Sequence, residues 1–362
     1  MKKKIDPRRI IQTVSQVFKP ILGKHALRNM ILTIIAISLS HKLRINEISR
    51  HLPTSVKGEK HKQKRFLRFL RRGLPTEDVM REWGKYVLRE VYSDAKRGVI
   101  IVDETKLLGP YKAIVAAIPF RKRAIPIYFM VYTDDQIRRL QYLSHNQIVE
   151  IFIERVNEIL KEALGKKSKK MIWVFDRGFA DVKLMERIKD KITFLMRVKK
   201  DVWVEVEERC KYAGKLKGFK GKGLFQNVIY HKGKRLRLHL YSDPDKEDPF
   251  FVVSNSVFGL HLIYKLRMQI EECFRDLKSL FGFKHLVLRR MDQGRVEMMF
   301  ALVSICMGLL MMKFEKSAYR WMRELYARRK VYSLVSVIRR VVRDSWKEFR
   351  LEPYFSLSPL SS

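Results

Sequence analysis

The sequence predicts an α/β protein with a mixed α+β sheet as its core, a β-rich insertion within that core, and helical regions at both ends. Helical patterns continue to about residue 95, and from residue 98 strand-length apolar runs alternate with helices in the order β-β-β-α-β-α-β. Short strands separated by Gly- and Lys-rich turns follow from residue 201 to about residue 255. A hydrophobic content of 46% supplies enough apolar surface for two or more domains.

The chain carries far more positive than negative charge. Its 76 Lys and Arg residues against 38 Asp and Glu residues give a formal net charge of +38. A solvated thermophile surface is the plain alternative, but such surfaces usually pair Lys with nearly as much Glu. The balance therefore indicates a polyanionic partner, with nucleic acid favoured over a ribosomal or membrane-surface partner.

The N-terminal region contains a strongly basic helical stretch, KGEKHKQKRFLRFLRRGLP. Residues 57–72 hold eight Lys and Arg residues and one acid. The interleaved Phe and Leu residues would anchor this helix, which leaves Lys64, Arg65 and Arg68 to contact DNA phosphates. A solvated helix face is the alternative interpretation.

Two aspartates end apolar strands in the predicted core. Asp103 follows the apolar run Val99–Val102 in GVIIVDE, and Asp176 follows the apolar run Met171–Phe175 in KMIWVFDRGF. Arg177 and Gly178 indicate a tight basic turn after Asp176. A carboxylate at such a position is costly unless a positive group compensates it. The alternative is that each aspartate only caps the following turn.

The stretch YKLRMQIEECFRDLK, residues 264–278, predicts a helix with two adjacent glutamates. At about 100° per residue, a single stripe contains Tyr264, Arg267, Glu271 and Lys278 and borders the apolar face. Glu272 is expected on the solvent flank with Asp276. A structural Arg267–Glu271 pair, worth about 0.2–0.5 kcal/mol, is the plain alternative, but it does not explain the tyrosine and the lysine.

Two strand-end aspartates and a helical glutamate are a suitable ligand set for a pair of divalent cations, which prefer oxygen ligands. Such a pair activates a water or a 3′-hydroxyl for phosphoryl transfer. The cysteines offer no zinc site, because Cys210, Cys273 and Cys306 are widely spaced, and we expect them to be core residues in a reducing compartment. The apolar run 298–312 is shorter than the roughly 20 residues that span a bilayer, which predicts a buried helix.

These motifs resemble those of insertion-sequence transposases of the DDE superfamily, in the IS-four type subgroup with the signature Y-x2-R-x3-E-x6-K. Tyr264, Arg267, Glu271 and Lys278 fill the signature, and IVDET and WVFDRGF resemble the family's aspartate motifs. The likeness covers about residues 98–315. It implies a ribonuclease-H-like catalytic core with a β-rich insertion.

The resemblance also implies roles for individual residues. Asp103, Asp176 and Glu271 would be catalytic and would hold two Mg²⁺ ions, for which Mn²⁺ can substitute. A DNA phosphate near the cut would be held by Tyr264, Arg267 and Lys278, and we expect Arg177 to contact DNA as well. The implied partners are double-stranded DNA, as terminal inverted repeats and as target, and a second copy of the chain in a synaptic homodimer.

We expect five regions: a helical DNA-binding region (1–95), the first part of the core (96–200), the β-rich insertion (201–255), the second part of the core (256–315) and a basic helical C-terminal region (316–362). A cytoplasmic, nucleoid-associated location without membrane attachment is expected. Two alternatives stay open: a ribonuclease-H-like DNA endonuclease without strand transfer, and a non-catalytic DNA-binding protein. The intact acids argue against the second alternative.

Overall fold

The structure is a computed structural model that describes residues 8–40, 42–56, 58–139, 144–206, 209–213, 223–231, 235–242, 251–256, 260–288, 290–325 and 334–347. The Cys210 side chain lies outside the described part. Cys273 and Cys306 are buried, as the sequence predicts, and neither forms a disulfide.

The first half of the chain passes from helices to alternating strands and helices. The helices are α1 (Arg8–Phe18), α2 (Lys24–Leu39), α3 (Ile45–Arg50), α4 (Glu59–Arg72) and α5 (Thr76–Tyr92). They are followed by β1 (Gly98–Lys106), β2 (Tyr111–Phe120), β3 (Arg123–Thr133), α6 (Asp134–Arg139), α7 (His145–Leu164), β4 (Met171–Phe175), α8 (Val182–Ile188) and β5 (Thr193–Val198). Apart from the short helix α6, this is the predicted order.

The second half adds strands and then returns to helices. The strands are β6 (Trp203–Val206), β7 (Arg209–Tyr212), β8 (Gly223–His231), β9 (Arg235–Ser242) and β10 (Phe251–Ser254). The helices are α9 (Leu260–Lys265), α10 (Met268–Arg275), α11 (Gln293–Leu325) and α12 (Leu334–Lys347). A π-helical turn, Asp276–Leu280, follows α10.

All described strands belong to one mixed sheet in the order β3-β2-β1-β4-β5-β10-β9-β8-β6-β7. Strands β1, β4 and β5 run parallel to one another, whereas β2 pairs with β1 and β10 pairs with β5 in antiparallel fashion. The predicted mixed α/β class is confirmed, and the architecture is consistent with a ribonuclease-H-like core. Strands β6–β9 extend the same sheet through β10.

Apolar runs in β1 and β4 explain their central position in this sheet. All five residues of β4 are buried, as are Ile100, Ile101 and Val102 of β1. Strands that are buried on both faces have sequences with continuous runs of β-branched and aromatic residues, and β1 and β4 show this pattern. Burial and parallel pairing therefore position the backbone from which Asp103 and Asp176 extend.

Helix α7 covers part of the sheet, and its ends are defined by local sequence. Ser144 and Gln147 form a capping box at its start, and Gly165 adopts a positive φ of 56° at its end. Phe152 of α7 contacts Tyr128 of β3, with 5.8 Å between the ring centroids.

The described residues form two compact units. One unit is drawn from residues 1–83, 107–111 and 274–362, and the other from residues 84–106 and 112–273. The sheet and α7 lie in the second unit. The five-region division that the sequence suggests stays a prediction.

Helix α11 is long and apolar enough to cross a membrane by length and composition, over residues Gln293–Lys316. However, 83% of its most apolar window is buried inside the protein. Burial of that kind is typical of a core helix, and the predicted buried helix over residues 298–312 is confirmed.

Candidate active site

Sheet register places the two aspartates on neighbouring strands. Asp176 directly follows β4, but Asp103 is not at a strand end as predicted, because β1 continues to Lys106 and Asp103 is paired with Val115 of β2. Val102 of β1 is paired with Phe175 of the parallel strand β4, so the next residues are Asp103 and Asp176. Neighbouring strands are about 4.8 Å apart. Asp103 Oδ1 accepts a hydrogen bond of 2.7 Å from the Glu104 backbone N–H, which leaves Oδ2 to meet other partners.

Arg267 contacts all three predicted acids. Its Nη1 donates to Asp103 Oδ2 at 3.3 Å, and its Nη2 donates to Glu271 Oε1. Its Nε lies 3.6 Å from Asp176 Oδ1. One guanidinium therefore joins carboxylates from β1, from the end of β4 and from α10.

The four side chains differ in their access to solvent. The Arg267 side chain is 8% exposed and that of Asp103 is 14% exposed. Asp176 is 34% exposed and Glu271 is 44% exposed. The cluster is therefore shielded from solvent at Asp103 and accessible to solvent at Asp176 and Glu271.

The electrostatics of the cluster follow from this burial. Burial raises the pKa of Asp103 to about 6; the Glu104 N–H and the Arg267 guanidinium oppose the rise, while Asp176 and Glu271 add to it. Burial alone would lower the pKa of Arg267, but Tyr264, Asp176 and Glu271 outweigh it and raise that pKa. Arg267 thus carries a positive charge that the acids require.

The helix that carries Glu271 is not continuous, contrary to the sequence prediction. Helix α9 ends at Lys265, α10 begins at Met268, and the π-helical turn begins at Asp276. Each break changes the angle between successive side chains, so positions drift from the regular wheel. Asp276, expected in solvent, is buried in the structure.

The expected exposure of the two glutamates was also wrong. Glu271 is the more exposed at 44%, and Glu272 is 31% exposed. Glu272 forms an ion pair of 3.5 Å with Arg123, and this contact lies away from the two aspartates. The choice of Glu271 therefore depends on its contact with Arg267 and not on its burial.

The remaining predicted site residues lie in different settings. Tyr264 is buried in an apolar cluster, where burial raises the pKa of its hydroxyl and Arg267 opposes the rise. Arg177 is exposed in the 3-10 turn that follows Asp176. Lys278 is partly buried in the π-helical turn and belongs to the other compact unit.

Helix α4 presents a basic surface beside a buried apolar one. Phe66, Phe69 and Leu70 are buried. The opposite side lines a recess of about 490 Å³ with Lys64, Leu67, Arg68 and Arg71. Leu67 thus borders the recess instead of anchoring the helix.

Arg65 departs from the predicted outward-facing set. Its Nε donates to Asn29 Oδ1 at 3.1 Å, and its Nη1 donates to Thr54 Oγ1 at 3.3 Å. These bonds direct the guanidinium toward α2 and toward the segment between α3 and α4. Its role in DNA contact stays a prediction with weaker geometric support than that of Lys64 or Arg68.

Sequence reasoning missed a polar cluster behind Asp103. Glu104 Oε2 accepts a hydrogen bond from the Tyr132 hydroxyl and lies 3.1 Å from His145 Nε2. Burial would raise the pKa of Glu104, but the bonds from His145 and Tyr132 lower it. Because successive strand residues face opposite sides, this cluster supports the end of β1 from the face away from Asp103. The second acid of IVDET, Glu104, is the sequence feature that could have indicated this cluster.

The three acids fit a hard divalent cation by donor chemistry, because all offer carboxylate oxygens. Within the described part of the chain, however, no group of three or more His, Cys, Asp and Glu side chains is arranged to hold a metal ion. The carboxylates of the site are directed at the Arg267 guanidinium.

The fold and the acidic cluster define a class of α/β protein with carboxylates from two neighbouring parallel strands and a helix. Residues 149–307, less than half of the chain, match the family model described as the transposase DDE domain. The match supports a DDE transposase, an enzyme class that acts on DNA. It includes Asp176, Arg267 and Glu271 but begins after Asp103. No curated protein matches the chain significantly.

Proposed function

We propose that this protein is a transposase of the IS-four type subgroup that cuts the ends of an insertion sequence and joins them to target DNA. The observation that carries the proposal is the convergence of Asp103, Asp176 and Glu271 on Arg267. These acids come from separate elements, and the match to a transposase DDE domain spans two of them.

Asp103, Asp176 and Glu271 are proposed to hold two Mg²⁺ ions, or Mn²⁺ in their place. When bound, such ions activate the attacking oxygen and stabilise the leaving oxygen in phosphoryl transfer. The buried strands β1 and β4 would keep the two aspartates in register, and α10 would bring Glu271 to them. Arg267, Tyr264 and Lys278 are proposed to position a DNA phosphate, with Tyr264 acting mainly by packing against the sheet.

DNA binding is proposed to depend on Lys64, Arg68 and Arg177, which are exposed. The net charge of +38 supports a polyanionic partner. The proposed partners are the terminal inverted repeats, the target DNA and a second copy of the chain. The proposed location is the cytoplasm, in association with the nucleoid.

Strand transfer distinguishes this function from simple cleavage. The assay uses pre-cleaved ends taken from the DNA that borders the gene, a supercoiled plasmid target and Mg²⁺. Joined products with the wild-type protein would support a transposase. Cleavage of uncut ends without any joining would instead support the endonuclease alternative.

A further inference from the structure

The Arg267 guanidinium and a divalent cation would compete for the same carboxylate oxygens. Arg267 reaches Asp103 Oδ2 and Glu271 Oε1 by hydrogen bonds, and its Nε faces Asp176. The second oxygen of Asp103 already accepts from the Glu104 N–H. A cation bound to these acids at 2.0–2.6 Å would therefore lie against a buried positive charge.

Arg267 has a route out of the cluster. It lies in the turn between α9 and α10, where the backbone N–H of Arg267 bonds to the Tyr264 carbonyl three residues back instead of four. The open side of the cluster is formed by the more exposed Asp176 and Glu271. Rotation of the side chain toward that side would release the acids without moving the sheet.

If the Arg267 guanidinium leaves the three carboxylates, it needs another anion as its partner. A DNA phosphate is suitable, because guanidinium groups bind phosphate oxygens in a bidentate geometry. After the exchange each charged group still has a partner of opposite sign. The phosphate replaces the acids as the partner of Arg267, and the cation replaces Arg267 as the partner of the acids.

From this geometry, and resting on the proposed function, we propose that Arg267 couples the two ligands of the site: it blocks divalent cations in the free protein and admits them when a DNA phosphate draws it away. The metal site would then form only on DNA. Metal-dependent chemistry in the absence of the correct substrate would be suppressed.

The test measures Mn²⁺ affinity by electron paramagnetic resonance of free Mn²⁺, so it needs no catalysis. The wild-type protein is compared with Arg267→Gln, which loses the charge, and Arg267→Lys, which keeps it. Arg123→Gln is the matched control, because Arg123 pairs with Glu272 outside the three acids. Each protein is titrated alone and with a duplex taken from the DNA that borders the gene, and folding is checked by circular dichroism.

Without DNA, Arg267→Gln should bind Mn²⁺ about tenfold more tightly than the wild type, a coupling of ordinary size. The Lys variant and the Arg123 control should stay weak. DNA should tighten Mn²⁺ binding about tenfold in the wild type and little in Arg267→Gln. Equal affinity in wild type and Arg267→Gln, or no effect of DNA on the wild type, would overturn the proposal.

If Arg267→Gln does not fold, the wild type still tests the proposal, because Mn²⁺ binding that DNA does not tighten would overturn it. The outcome is also separable from the proposed function. A protein that joins DNA ends but binds Mn²⁺ equally well with and without DNA is a transposase without this coupling. Coupled Mn²⁺ binding without any joining would leave the coupling intact and contradict the transposase.

Discussion

Arg267 Nη1 lies 3.3 Å from Asp103 Oδ2, and this pair is the most buried contact of the acidic cluster. Taking such charges out of water is expensive, and the attraction between them often does no more than offset that cost. The pair is thus weak evidence for stability. Its position beside Asp176 and Glu271 is better explained by a function in which the acids exchange Arg267 for another cation.

Replacement of Asp103 by Asn should stabilise the metal-free protein at pH 8. Burial raises the pKa of Asp103 from 3.8 to about 6, so the folded protein binds this proton more tightly than the unfolded chain. The resulting stability is fully present below about pH 4 and is lost as the pH rises through 6. Asn cannot ionise, so the gain should be about 1–3 kcal/mol at pH 8 and near zero at pH 4.

Thermal melting in the presence of a chelator at the two pH values measures this difference. Asp134→Asn is the control, since Asp134 is an exposed acid paired with Lys112 at 2.8 Å. Equal destabilisation by Asp103→Asn at both pH values would show that the acid is stabilising.

Glu271→Gln should abolish cleavage in Mg²⁺, whereas Glu272→Gln should stay active. Only Glu271 contacts Arg267, and Glu272 is held by Arg123. The two neighbouring isosteric changes are matched in size and charge, so DNA binding should be similar in both. An essential Glu272 together with a dispensable Glu271 would show that the signature register is wrong.

Lys64→Ala and Arg68→Ala should each weaken DNA binding on all sequences and reduce the slope of log affinity against log salt by about 1. Both residues border the recess on α4. Arg65→Ala should instead lower the melting temperature, because Arg65 bonds to Asn29 and Thr54. Unchanged salt slopes in the first two variants would remove α4 from the DNA interface.

Lys278→Ala should reduce strand transfer with little change in the melting temperature. The expectation is that Lys278 holds a DNA phosphate, and Lys278→Arg should keep part of the activity because the charge is retained. Wild-type transfer rates in Lys278→Ala would exclude this residue from phosphate positioning.

The order of strands and helices along the chain could be predicted from its apolar runs. Runs such as Val99–Val102 and Met171–Phe175 need burial on both faces, which only a central strand supplies. The same pattern predicted aspartates at strand ends, which is correct for Asp176, whereas β1 continues past Asp103 to Lys106. Pairing of β6–β9 with the core sheet could not be predicted, because register between distant strands is decided by tertiary packing.

The helix of Glu271 shows the limit of a regular wheel. Ile270, Cys273 and Leu277 are buried as predicted. The turn at 266–267 and the π-helical turn after Arg275 have no local Pro or Gly to signal them. The first of these turns separates α10, which carries both glutamates, from the regular wheel on which their exposure was predicted. The contacts of Arg267 with Asp103 and Asp176 could likewise not be predicted, since they join residues distant in the sequence, 164 positions apart for Asp103.

Strand transfer in Mg²⁺ tests the central claim most directly. Pre-cleaved ends from the DNA that borders the gene are incubated with a plasmid and with the wild-type protein or with Asp103→Asn, Asp176→Asn or Glu271→Gln. The proposal predicts joined products with the wild type and none with the three variants, all of which should still bind DNA. Joining by any of these variants at the wild-type rate, or DNA binding by the wild type without joining, would contradict it.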